Sequence, residues 1–162
     1  MSYLTYLILR YFHYICNMFI PKNINKRAED LKRIQAKELA DYEEFLKEFT
    51  NDLNDIKTKT SKGLEEQTFI DLIKNCTIKR DQTKYPYRIF LFNANENKFL
   101  FEYDFKHRFL WYTENIIRDI VKYKFNMSIQ PYHEFIVEQF RKFFKIMPYV
   151  SNFNIINPII ID

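Results

Sequence analysis

His13 and Cys16 stand three residues apart in the opening segment MSYLTYLILRYFHYICNMFI. On a helix that spacing brings two metal-binding side chains to one face. Zinc needs four ligands, and neither a carboxylate nor another histidine lies nearby in sequence. His107 follows Asp104, and His133 precedes Glu134. A histidine beside a carboxylate has the makings of a general base. No nucleophile motif accompanies either pair, and most such pairs are hydrogen bonds on a surface or in a core. The three histidines lie in three separate segments. The expectation is therefore no catalytic residue, no metal site and no cofactor site.

Residues 106–147 hold a different chemistry. Eight cations face four carboxylates there, an excess equal to the whole net charge of +4. Arg118, Lys122, Lys124, Arg141, Lys142 and Lys145 are the candidate basic face. Interleaved aromatics would let such a face stack on RNA bases. The same charges suit anionic lipid headgroups such as cardiolipin, or plain solvent. A charge of +4 is small for a protein that neutralises many phosphates, which favours lipid or solvent over RNA.

Gly63 is the only glycine among 162 residues. Phosphate loops, dinucleotide folds and nucleophile elbows need several glycines, because only glycine takes positive φ cheaply. One glycine removes most enzyme classes built on such loops. The two cysteines, Cys16 and Cys76, are far apart and have no zinc spacing. A disulfide framework is not expected, and a reducing or neutral compartment fits.

The elements that would carry these residues can be read in order. Residues 1–20 contain no acid and no lysine and are mostly apolar or aromatic. Twenty helical residues reach about 30 Å, the thickness of a hydrocarbon core. Arg10, His13 and Asn17 share one face, which would turn to protein or headgroups. Crossing a bilayer with Arg10 at mid-helix costs roughly 2.5–3.5 kcal/mol. A transmembrane helix, a helix lying on a membrane or docked into a larger protein, and a buried helix of a soluble domain all remain open.

Residues 21–64 carry ten cations and nine carboxylates, mixed in sign, and read as a charged rod and loop. The helix is expected over 26–57. Leu39, Tyr42, Leu46, Phe49, Leu53 and Ile56 alternate steps of three and four, a heptad stripe. The stripe either packs on its own domain or binds a partner chain, and it is taken here as a partner-binding stripe.

Residues 65–162 form the third region, a C-terminal α+β module. A short helix is expected at 65–76, and a polar break at 79–86. YRIFLFN and KFLFEYDF flank the turn-like ANEN, which predicts a β-hairpin over 87–105. Phe99, Phe101, Tyr103 and Phe105 would line one face. Helices are expected at 107–124 and 131–147. The tail PYVSNFNIINPIIID, uncharged before Asp162, is expected to be extended and clamped by something such as a partner subunit. The fold class is thus α+β, mostly helical, with an apolar N-terminal helix.

The composition is rich in Phe, Tyr, Ile, Asn and Lys and poor in Gly, Ala, Arg and Pro. AT-rich codons write the first group. In this the chain resembles the divergent proteins encoded in ciliate-type mitochondrial genomes. The resemblance covers composition along the whole chain. It implies a subunit of a respiratory complex, the ATP synthase or the mitochondrial ribosome. The layout of residues 1–57, an apolar segment and then a long charged helix, is similar to ATP synthase subunits b and 8. The hairpin and C-terminal helices depart from that layout. The resemblance implies a structural subunit at the mitochondrial inner membrane, with other subunits and membrane lipid as partners. The alternative is a mitochondrial ribosomal protein that binds rRNA.

Overall fold

The computed structural model describes residues 3–19, 24–81, 84–113 and 130–152. The chain divides into two compact units, Met1–Asp41 and Tyr42–Asp162. The division falls inside the second helix, not at the ends of the three regions read from sequence.

The first unit holds α1, Tyr3–Phe19, and the start of α2, Ile24–Thr58. Neither stretch contains Gly or Pro, and α2 is filled with Ala, Leu, Glu and Lys, all strong helix formers. Asp30 pairs with Arg33, one turn on, on its exposed surface. Among the described residues, no helix is long and apolar enough to cross a membrane. α1 has 17 residues, with Arg10 near its middle. The transmembrane reading of residues 1–20 is thus unsupported.

The second unit is α+β. From Tyr42 onward it comprises the rest of α2, α3 (Leu64–Ile73), β1 (Cys76–Arg80), β2 (Arg88–Asn93), β3 (Lys98–Asp104), β4 (Phe109–Tyr112), α4 (Gln130–Phe144) and β5 (Tyr149–Asn152). The strands form one sheet in the order β1-β2-β3-β4-β5. The first four make an antiparallel meander, and β5 lies parallel to β4. A parallel neighbour needs a crossover, and α4 lies on that connection.

The core is one layer of helices against one face of the sheet. Tyr42, Phe49, Leu53 and Ile56 of α2, Phe69, Ile70 and Ile73 of α3, and Phe135, Ile136, Phe140, Phe143 and Phe144 of α4 are all buried. They meet Ile89, Leu91, Leu100, Phe101, Tyr103, Leu110 and Tyr112 from the sheet. The helices lock through rings. Phe49 stacks on Phe144 at 4.1 Å between centroids, and Phe69 on Phe143 at 5.5 Å. Each buried aromatic contributes its transfer energy plus about 0.5–1.5 kcal/mol from such ring pairing.

The hairpin at 87–105 is present, with one change. A bulge in the β2–β3 pairing sets Leu91 opposite Phe101 but Phe92 opposite Phe99. Leu100 is the extra residue, and it joins Phe101 in the core. Phe99 therefore turns to the opposite face, where it meets Phe90 and Phe92. One inserted residue flips the faces beyond it, as period two requires.

Three other expectations are corrected. The polar break expected at 79–86 begins inside a strand, since β1 ends with Lys79 and Arg80. The segment expected to begin a helix at 107 instead forms β4; the remainder of that helix, 114–124, lies outside the described residues. Tyr149–Asn152, the start of the tail, is extended and clamped as expected, but the clamp is β4 of the same chain and not a partner subunit. Residues 153–162 lie outside the described residues.

Candidate functional site

The apolar, acid-free sequence of α1 gives it only a narrow polar side to turn to water. Tyr3, Leu4, Tyr6, Leu7, Ile8, Leu9, Tyr11, Phe12 and Tyr14 are nonetheless exposed, from 43% for Leu7 to 78% for Tyr3. An amphipathic helix of a globular protein buries one apolar stripe. On α1 the exposed apolar side chains run around the helix and leave only a narrow polar strip. Arg10 and His13 are exposed on that strip. Asn17 falls on it by helical spacing, and its side chain lies outside the described residues. The side chain of Cys16 does too, so the His13–Cys16 spacing is not tested by geometry. Among the described residues, no group of three or more His, Cys, Asp or Glu could hold a metal ion.

The heptad stripe of α2 meets a different fate. Tyr42, Phe49, Leu53 and Ile56 are at most 2% exposed, and Leu46 packs partly buried against the same core. Leu39, in the first unit, is exposed. The partner-binding reading of this stripe is corrected: from Tyr42 on, it is an intramolecular core contact. The sheet needed an apolar helix face, and the α2 heptads supply it.

Of the expected basic face, Arg118, Lys122 and Lys124 lie outside the described residues. Arg141 reaches back one turn to Glu138 at 2.6 Å, which draws the Glu138 carboxyl below its usual range. Lys142 pairs with Glu66 of α3 at 2.7 Å, and that bond lowers Glu66. Lys145 is exposed just past α4. Two of the three described cations are thus shared with carboxylates, which dilutes any positive field at this end of α4.

The histidine–carboxylate pairs resolve in two ways. His107 does sit on Asp104, with Nδ1 at 3.1 Å from Oδ2, and its backbone N–H donates to Oδ1 at 3.0 Å. His133 instead meets the Tyr112 hydroxyl at 2.9 Å, tying α4 to β4. Sequence reasoning missed the residue that organises this region. Arg88 bonds Glu102 at 2.8 Å and Asp104 at 3.2 Å. Its guanidinium also lies over the rings of Tyr85 at 4.1 Å and Trp111 at 4.8 Å. The period-two spacing of Glu102 and Asp104 was the available signal, since it puts two acids on one strand face.

These two carboxyls shift in opposite directions. Burial pushes Glu102 up, and Arg88 offsets only part of that. Burial also raises Asp104, but the His107 backbone and ring and the Arg88 guanidinium outweigh it, and the net shift is downward. Charge-assisted bonds thus hold Asp104 ionised against desolvation. Chemically the cluster is a latch: a cation bonded to two acids and lying over two rings, joining β2, β3 and β4.

No protein-family model, no curated protein and no solved structure matches this chain.

Proposed function

We propose that the protein is a non-catalytic structural subunit of a membrane-bound energy-transducing complex, held at the mitochondrial inner membrane by α1. The observation that carries this reading is α1 itself. Nine large apolar side chains stand in water there, beside one arginine and no acid. An interfacial helix of this kind sinks its apolar surface into the acyl boundary and keeps its cation among headgroups. Lys26 and Arg27 follow at the exposed start of α2 and would add attraction to anionic lipid, about 1 kcal/mol each near the surface.

The α+β unit would then be the part that meets neighbouring subunits. The compositional resemblance supports a mitochondrial setting, with the ATP synthase membrane or stalk region first and a respiratory-chain complex next. The ion pairs of Arg141 and Lys142 weigh against the rRNA alternative, because they leave less charge for phosphate.

Flotation of the full chain with vesicles containing cardiolipin tests the reading. The protein should float with cardiolipin vesicles and less with neutral ones. Leu4→Asp with Ile8→Asp should leave it at the bottom, since two buried charges cost several kcal/mol. Flotation unaffected by the double substitution, or absent for the parent protein, would overturn the lipid reading.

A further inference from the structure

The edge of the sheet at β1 offers a second surface. β1 pairs with β2 alone among the described strands. Which of its backbone groups face outward follows from the ladder. The Phe105 N–H donates to the Tyr87 carbonyl, so odd-numbered residues of β2 bond to β3 and even-numbered ones to β1. Thr77 and Lys79 stand opposite Phe92 and Phe90 and point at β2. Ile78, between them, turns its N–H and C=O to the open edge.

A groove of about 350 Å³ runs beside that edge, between β1 and α2. Leu46, Leu53 and Ile78 give it an apolar middle. Lys57 and Arg80 also line it, and no carboxylate does. The two cations mark opposite ends. Arg80 closes β1 and pairs with Glu43, and Lys57 lies about four turns further along α2 than Glu43, towards Cys76, where β1 begins and the Glu96 carboxylate also acts. Arg80 Nη2 pairs with Glu43 at 3.1 Å, but its buried Nε has no acceptor.

We propose that this edge receives an extended, acidic-tipped strand from a partner protein, which joins the sheet beside β1. Backbone pairing at Ile78 supplies the register. Alternate side chains of the incoming strand enter the groove: an apolar one over Ile78, with an acid on each side reaching Lys57 and Arg80. A second copy of this chain does not suit the site, because pairing two β1 edges would bring like cations together. The proposal is independent of α1, so it can fail while the membrane reading holds, and the reverse.

The probe is the capped peptide Glu-Thr-Val-Thr-Glu, with Lys-Thr-Val-Thr-Lys as its control, added to the full chain. The acidic peptide should bind saturably below about 1 mM, more weakly as salt rises, and slow hydrogen exchange at the Ile78 amide. The basic control should not bind. Ile78→Pro removes the outward N–H without touching the β1–β2 ladder, and should weaken binding about tenfold relative to Ile78→Ala. Lys57→Glu, on the exposed surface of α2, should weaken it about fivefold with the fold intact. Equal binding of the two peptides, equal binding by the Pro and Ala variants, or no binding at about 1 mM would overturn the proposal. So would dimerisation of the free chain through β1.

Discussion

The two ends of α2 carry the same kinds of side chain and meet opposite fates. Ile24, Leu31, Ile34 and Leu39 are at least half exposed, while Tyr42, Phe49, Leu53 and Ile56 are buried. Helix propensity and apolar content do not separate them. What separates them is a second surface: from Tyr42 on, the helix has a sheet and two other helices to pack against. Amphipathic spacing shows that a face must be covered, not what covers it. α1 extends the point, since it has more apolar surface than either end of α2 and less of it buried.

This comparison can be broken by paired truncations. Phe49→Ala should cost about 3–5 kcal/mol in denaturant unfolding, because it empties a stacked ring site. Leu31→Ala should change the same transition by no more than about 0.5 kcal/mol. Similar costs at both positions would mean that the exposed end is covered after all.

A smaller effect sharpens it on the sheet side. Asp104 has a folded pKa below its unfolded one, so it stabilises the fold above the unfolded value, and that gain fades as pH falls through the folded value. Asp104→Asn should cost about 1.5–3 kcal/mol near pH 7 and almost nothing near pH 2. Glu102 shifts the other way, so the quantity to read is the difference between variant and parent at each pH. A difference that does not vary with pH would remove the charge from the account of the latch. The smallest readout is chemical. Burial pushes the Cys76 thiol up to about 12, so in a Cys16→Ser background it should resist alkylation until the second unit unfolds. Rapid labelling under native conditions would show that β1 opens locally.

Local patterns were the legible part of this fold. The α2 helix, the hairpin strands and α4 each announce themselves within a short window, by heptad steps, alternation or a wide aromatic face. β1 did not, because CTIKR is a half-polar edge strand whose partner chemistry lies in β2. β4 did not, because FLWY is too short for a period, and it becomes a strand only between β3 and β5. Residues 65–76 were expected as one helix, but its last turn gives way to β1 at Cys76. The Arg88 latch was half legible: the two acids share a strand face, but the cation comes from a different strand. The strands β1 and β4 and the cation of the latch all depend on non-local partners, which no short window of sequence contains.

The scarcity of glycine now has a physical meaning. Gly63 takes an ordinary extended φ of −77°, so the only glycine is not used where glycine is needed. Asn97, Arg108 and Lys145 instead hold left-handed φ values of 52°, 57° and 54°. Lys145 ends α4, its N–H returning to the Arg141 carbonyl, and Arg108 aims its carbonyl at the Tyr149 N–H where β5 begins. Each residue with a Cβ in that conformation carries roughly 1 kcal/mol of backbone strain. Turns built from residues with a Cβ thus hold strain that glycine would relieve, and the rest of the second unit has to outweigh it.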